Sequence, residues 1–331
     1  MPLGLHTEME IQNRKSFIKT LGILTAGTFV NPFLVEGKNN ITSQNLSSTS
    51  SKKKRLLRVA HLTDIHIKPD KIAEQGLAEA LNQVNTMADK PDFIINGGDT
   101  IMNAGAISKP LVKEQWTCFH KLNLAYNKIP MYHCIGNHDL FGWALPGTNK
   151  NDGKKWALDE YQLSNPYYSF FKNGWKFIIL DSIHPRKSVP GYFGKLDDEQ
   201  LNWLENELAQ AKDKNVCVVT HIPILAVCTL FDSSKLHHNS WFVPDNTLHA
   251  DAYQLRDLFF KYKNVKACLS GHIHLIDYVN YLGTDYYCNG AVSGAWWKGD
   301  HQQFSPSFIV MNFYDDGTSE REIHYYNWKM A

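Results

Sequence analysis

From Leu56 onward the chain alternates short apolar runs with longer segments of helical period. "RLLRVAHLTD" is a short apolar run with small and β-branched residues and reads as a strand. "IAEQGLAEALNQVNTMA" has helical spacing, and "PDFIINGGD" is a further apolar run stopped by glycines. A helix through "VKEQWTCFHKLNLAY" leads to "IPMYHCIGNHD", so the βαβ arrangement repeats, and right-handed crossovers place these strands parallel in one sheet. Asn173-Gly174 splits "YYSFFKNGWKFIILDS" into two strand-like runs, a hairpin signal. "DDEQLNWLENELAQAKD" opens on acidic residues and runs at helical period into "NVCVVTHIPI", again a strand ending in polar residues. The last third, from "NVKACLSGHIHL" to "SFIVMNFYDDGTSEREIHYYNW" around an Asp-Gly turn, reads as more antiparallel. The pattern predicts an α/β fold: a four-layer α/β/β/α sandwich of two mixed sheets flanked by helices.

The N-terminal stretch has a different character. Arg14, Lys15 and Lys19 precede an apolar segment of roughly fifteen residues, too short for a comfortable transmembrane helix, and residues 1–37 read as an export signal. The basic pair before Ser-Phe-Ile-Lys resembles a twin-arginine signal with lysine as its second member; the Sec type is the alternative. Residues 38–55 are Ser, Asn, Thr and Lys with almost nothing to bury, a flexible linker. Residues 56–331 form the expected catalytic domain, exported to the periplasm or the extracellular space, with no integral membrane span in the mature form.

Composition narrows the partners. Net charge is +1 over 331 residues, but the first 55 hold eight Lys/Arg against three Asp/Glu, leaving 26 basic and 30 acidic residues beyond. The domain is thus mildly acidic and lacks a basic stripe, which disfavours bulk nucleic acid. The six cysteines lie in the domain, several inside apolar strands, and show no CxxC spacing; they read as buried small hydrophobes rather than thiolate ligands or a disulfide framework.

Five apolar runs end in metal-ligand residue types. "HLTDIHI" places Asp64 and His66 two apart, so strand alternation sends both to one face. "GGDT" supplies Asp99, "GNHD" supplies Asn137 and His138, "VVTHIPI" supplies His221, and "SGHIHL" supplies His272 and His274. Each motif alone is weak; together they assemble carboxylate, amide and imidazole donors without thiolate. In open α/β sheets ligands gather beyond the carboxyl ends of strands, where these motifs fall. Glycines before Asp99, Asn137 and His272 would let the backbone turn sharply.

This ordered set, over residues 58 to about 290, resembles the calcineurin-like metallophosphoesterases. The resemblance implies two divalent or mixed-valence metal ions bridged by Asp99, the first taking Asp64, His66 and His274 and the second Asn137, His221 and His272. Nitrogen and oxygen donors suit Mn, Fe and Zn alike.

The chemistry follows without the family. Two cations about 4 Å apart can hold a bridging hydroxide and bind the non-reacting oxygens of a phosphoryl group. Asn137 supplies oxygen without charge, which keeps the pair Lewis-acidic. His138, next to a ligand and not needed as one, is the natural donor to the departing alkoxide. Asp139 either orients His138 or closes the turn.

Some positions narrow the branch. Purple acid phosphatases place a tyrosine three residues after the bridging aspartate, where this chain has Met102. Protein phosphatases of the superfamily carry paired arginines, and no arginine occurs here between Arg58 and Arg186. The spacing is similar to bacterial class III cyclic nucleotide phosphodiesterases, favouring a small phosphodiester. Trp296, Trp297 and the polar, aromatic 225–250 segment either rim the cleft or, for the tryptophans, pack between the sheets. The expected function is an exported phosphodiesterase. The alternatives are a phosphomonoesterase or pyrophosphatase on nucleotides or sugar phosphates, and a metal-stabilised binding protein without turnover.

Overall fold

The computed structural model describes residues 53–145, 150–326 and 328. The expected export signal, and the linker as far as residue 52, lie outside them.

In chain order the first strands are β1 (Arg55–Leu62), β2 (Phe93–Asn96), β3 (Met131–His133), β4 (Tyr168–Lys172), β5 (Trp175–Ile179), β6 (Ile183–Pro185), β7 (Tyr192–Gly194) and β8 (Asn215–Val219). They are followed by β9 (Leu236–His237), β10 (Ser240–Trp241), β11 (Val265–Ser270), β12 (Asp277–Tyr281), β13 (Thr284–Cys288), β14 (Ser307–Tyr314) and β15 (Ser319–Tyr325). One sheet runs β15-β14-β1-β2-β3, with β1, β2 and β3 parallel. The other runs β12-β13-β11-β8-β5-β4, with a parallel centre and antiparallel edges. β6–β7 and β9–β10 are separate small ribbons.

Alternation along the strands builds the layers. Leu57 and Val59 of β1 cluster between the sheets with Phe177, Val219 and Ile309, all at most 1% exposed. Ala60 and Leu62 face the other way, toward α1 (Lys71–Thr86) and α2 (Lys109–Tyr126), whose Leu77, Leu81 and Val112 share their cluster. The second sheet turns Ile178 and Val218 outward onto Leu204 of α4 (Asp198–Gln210) and Leu255 of α5 (Ala252–Lys261); α3 (Lys150–Tyr161) precedes β4. Each large apolar side chain buried this way contributes roughly 1.5–3 kcal/mol. The result is the expected four-layer sandwich.

Local signals place the ends. Asn173 (φ 43°) and Gly174 (φ 90°) make the two-residue turn that pairs Lys172 with Trp175, a type I′ geometry. The Asp70 carboxylate caps α1 by accepting the Ala73 N–H at 2.9 Å, which fixes the helix cap four residues after His66. The last third is less antiparallel than its pattern suggested. β11 is parallel to both β8 and β13, because the chain leaves β11 for the sheet edge as β12 before turning back beside it. All six cysteines are free thiols and buried, as small core residues.

Candidate metal centre

The loops after β1, β2, β3, β8 and β11 converge at the carboxyl edges of the two sheets. Asp64 and His66 lie beyond Leu62, the last residue of β1, with φ of 55° and 48°. Strand alternation is therefore not what aims them together, as the D-x-H spacing suggested; left-handed backbone does so. Asp99 (φ 53°), His272 (71°) and His274 (61°) share that conformation. Each instance costs a non-glycine residue roughly 1–2 kcal/mol, and strain of this kind concentrates at functional sites. Tertiary bonds hold it: Asp64 N donates to Gly98 O at 3.0 Å, His66 N to Asp99 O at 2.9 Å, and Ser293 Oγ to Asp64 O at 2.7 Å.

The glycines act in two ways. Gly98 turns at φ 98°, as expected. Gly136 and Gly271 instead provide room. A Cβ on Gly136 would stand 2.1 Å from Asp99 N and 2.2 Å from Asp99 Oδ1, and one on Gly271 would stand 2.3 Å from Asp64 Oδ2.

Six of the seven candidate ligands come together in two overlapping sets, and Asn137 follows Gly136, which lies against Asp99. In the first, His66 Nε2 and His274 Nε2 are 3.0 Å apart, and Asp64 Oδ1 lies 3.9 and 3.3 Å from them. In the second, Asp99, His221 and His272 bring donor atoms within 4.8 Å of one another, and Asn137, buried, presents an Oδ1 that meets no hydrogen-bond partner. Asp99 Oδ2 belongs to both sets, 3.7 Å from His66 Nε2 and 3.2 Å from His221 Nε2.

The imidazoles are wired for coordination. His221 Nδ1 donates to Gly97 O (2.9 Å), His272 Nε2 to Asn246 O (2.8 Å) and His274 Nδ1 to Gly294 O (2.7 Å). A carbonyl can only accept, so the other nitrogen of each ring carries the lone pair, the orientation found behind metal-bound histidines. His221 Nε2 and His272 Nδ1 are buried without a hydrogen-bond partner. His66 differs: its Nδ1 finds no acceptor. Buried oxygen and nitrogen lone pairs left unpaired in converging sets are costly unless a cation meets them, so the residues fit metal ions.

Without cations, protons carry the balancing charge. Burial opposes charge on His221, but Asp99 beside it lifts the imidazole to about 9. Burial likewise opposes ionisation of Asp64, yet His274 holds that carboxyl well below its usual range. Burial pushes His272 down to about 4.

His138 sits at the edge of the shared region. Its ring meets that of His66 edge-on, with centroids 4.6 Å apart, and its main-chain N–H donates to Asp99 Oδ1 at 2.7 Å. Nδ1 donates to Met102 O at 2.5 Å. Asp139 does not orient His138 by a ring hydrogen bond. It is a backbone clamp: its carboxylate accepts from the N–H groups of Gly136 (2.9 Å), Asp99 (3.0 Å) and Thr100 (2.8 Å) and from the Tyr161 hydroxyl (2.9 Å). Burial, then the charge of Asp99, raises its pKa to about 6. Tyr161 had no local sequence signal, because α3 brings it from 22 residues away.

The two tryptophans divide the roles expected of them. Trp296 is 36% exposed and lies 4.4 Å from the His274 ring, on the rim. Trp297 is buried in the core that contains α1, covers Gly76, and donates Nε1–H to His66 O at 2.9 Å. Arg186 pairs with Asp245 at 2.5 Å, so its charge is already met.

With the fold and donor sets in view, comparison with known proteins gives the class. The calcineurin-like phosphoesterase family model matches residues 57–275, and the chain belongs to that family. It is a metal-dependent phosphoric ester hydrolase. The chain is similar to the probable glycerophosphodiester phosphodiesterase GpdQ of Arcobacter nitrofigilis, 27% identical over 66% of this chain and 72% of the relative. It is also similar to the 3',5'-cyclic adenosine monophosphate phosphodiesterase CpdA of Haemophilus influenzae, 24% identical over 82% and 90%. The crystal structure of a dimetal phosphatase from Danio rerio shares the fold, with a TM-score of 0.55, 11% identity, and coverage of 83% of this chain and 100% of that one.

Proposed function

We propose that this chain hydrolyses small phosphodiesters at a two-metal centre. The observation that carries the reading is the Asp99 carboxylate shared between two buried donor sets, its Oδ2 3.7 Å from His66 Nε2 and 3.2 Å from His221 Nε2. Asp64, His66 and His274 would hold one ion, Asn137, His221 and His272 the other, and Asp99 would bridge. Mn, Fe and Zn all suit these donors. When bound, such a pair supplies a hydroxide at neutral pH and offsets the charge of the phosphoryl oxygens.

The chain's own groups do the rest. Asn137 adds an oxygen without adding negative charge near an anionic ester. His138 donates its Nδ1–H to Met102 O, so the ring acts as general acid in its imidazolium form, giving the Nε2 proton to the departing alkoxide and leaving the neutral ring with Nδ1–H still on Met102 O. Asp139 fixes the segments bearing Asp99 and Asn137 relative to each other through the main-chain bonds it accepts. Similarity to relatives named for glycerophosphodiester and cyclic AMP hydrolysis supports a diester over a monoester. The basic and apolar pattern of residues 1–37 supports action outside the cytoplasm; N-terminal sequencing of the mature protein that found those residues intact would remove that part.

The test compares bis(p-nitrophenyl) phosphate with p-nitrophenyl phosphate on chelated enzyme reloaded with Mn, Fe or Zn. Metal-dependent turnover favouring the diester is expected. Preference for the monoester would replace the reading with a phosphatase.

A further inference from the structure

Two of the six free cysteines, Cys228 and Cys288, lie together. Cys228 sits in the short helical turn Val227–Phe231, where the excursion that follows β8 begins, and Cys288 is the last residue of β13. With Ala226 and Leu275 they form a small buried cluster apart from the three larger cores.

Two links bring the thiols close. Asp277 Oδ2 accepts from Val227 N at 2.5 Å and from Cys228 N at 2.8 Å, so the turn hangs from the first residue of β12. Asp277 is also the direct cross-strand partner of Cys288 in the antiparallel β12–β13 pair. Such partners have Cα atoms about 4.5–5.5 Å apart. The Cys228 thiol beside it, and then burial, hold the Cys288 thiol well above its usual pKa.

The other four cysteines are placed differently. Cys217 of β8 and Cys268 of β11 are on adjacent strands, but Cys217 faces the core between the sheets and Cys268 the outer one, so the sheet itself separates them. Cys118 lies in the core around α1 and α2, its thiol toward Lys68 O, and the Cys134 thiol donates to Leu180 O at 3.3 Å.

We propose that Cys228 and Cys288 are a disulfide-forming pair, and that the bond fastens the start of the excursion after β8 to the second sheet. The inference stands on the placement of the cysteines and does not need the phosphodiesterase reading. The oxidant is a disulfide, of the glutathione or the protein class, acting by exchange. Cys228 reacts first: it is 7% exposed against 1% for Cys288, and its turn neighbours Val227 and Phe231 are open to solvent. Its thiolate attacks one sulfur of the oxidant, so that a mixed disulfide forms, the oxidant's S–S bond breaks and one thiol leaves. The Cys288 thiolate then attacks Cys228 Sγ, forming the internal bond and expelling the second thiol. The two cysteine protons end on the two released thiols, and the oxidant takes up both electrons.

The bond would close the loop between residues 228 and 288 around a segment that carries a candidate ligand. Within that loop, Asn246 O accepts from His272 Nε2 at 2.8 Å, and Gly271 O, just before His272, accepts from Cys288 Sγ at 3.5 Å.

The test incubates the full-length chain with oxidised glutathione or with dithiothreitol. Remaining thiols are blocked with iodoacetamide in denaturant, and the digests are mapped by mass spectrometry before and after reduction. The oxidised sample is expected to yield one linked peptide pair, joining Cys228 to Cys288, with the other four cysteines blocked. Its melting temperature should exceed that of the reduced sample by at least about 5 °C, a difference absent in Cys228→Ala. Cys228 is at the edge of its cluster, so that variant is expected to fold; circular dichroism checks this. Six blocked thiols after oxidation, either cysteine linked to a different one, or glutathione retained on Cys228 beside a free Cys288 would overturn the pairing. A linked pair with no change in melting would overturn the fastening.

Discussion

His138 donates a hydrogen bond from Nδ1–H to the main-chain carbonyl of Met102 at 2.5 Å, while the Asp139 carboxylate next to it in sequence accepts from backbone amides instead. A carbonyl fixes the ring without taking its proton, which suits a residue that must deliver a proton from Nε2. His138→Gln should lower kcat on alkyl diesters by about 10²–10³-fold, within the usual range for loss of a general acid. Diesters of p-nitrophenol should lose less than about tenfold, because that phenolate departs without protonation. Kinetics on the two substrate types, with metal content measured alongside, checks this. An equal loss on both would mean that His138 acts on binding or on metal retention.

Asp139→Asn puts an amide NH2 against main-chain N–H donors now bonded to a carboxylate. Leaving those buried donors unpaired should cost about 2 kcal/mol. For a domain of this size that corresponds to a melting-temperature drop of about 4–8 °C. Tyr161→Phe removes one donor and should cost about 1 kcal/mol. Calorimetric melts of the metal-free proteins test both, and a stable Asp139→Asn variant would refute the clamp.

Gly136→Ala tests the close approach of two loops that carry candidate ligands. The added Cβ would meet Asp99 N at 2.1 Å, a backbone atom that cannot swing aside. Metal content by emission spectroscopy should fall by at least about one ion per chain, since Asp99 would bridge both. Full loading of the variant would show that the loops are looser than the structure implies.

Much of this was legible in the sequence, for identifiable reasons. Apolar periodicity and turn residues such as Asn173-Gly174 encode the layers, because local geometry sets them. The candidate donors stood out because a metal centre needs particular donor types and each occurs just after a strand. What escaped the reading depends on long-range packing. The left-handed backbone of Asp64 and His66 is imposed by bonds to the β2 loop, not by their own residue types. Tyr161 reaches Asp139 from another helix, and the split between buried Trp297 and rim-lying Trp296 turns on packing against α1.

Away from the site, Arg58 holds Glu322 with Nη1 at 2.5 Å and Nη2 at 2.8 Å, tying β1 to the edge strand β15. The guanidinium lowers the Glu322 pKa from 4.5 to about 2. A depressed carboxyl stabilises the fold fully above its unfolded pKa and loses that contribution as pH falls through the folded value. Metal-free protein should therefore lose stability from this pair between about pH 4.5 and 2, and Glu322→Gln should flatten that part of the curve. Glu322 is 40% exposed, so solvent screening keeps the contribution under about 1 kcal/mol. Urea melts of the two proteins across that range test it; parallel curves would contradict it.

On the proposed mechanism, hydrolysis needs two ions held together by Asp99. The most direct measurement titrates chelated protein with Mn while following bis(p-nitrophenyl) phosphate turnover, beside the same titration of Asp99→Asn. Activity is expected to rise to a plateau at about two ions per chain and to fall by at least about 10³-fold in the variant. A plateau at one ion, or two tightly bound ions with no turnover of any phosphate ester, would contradict it.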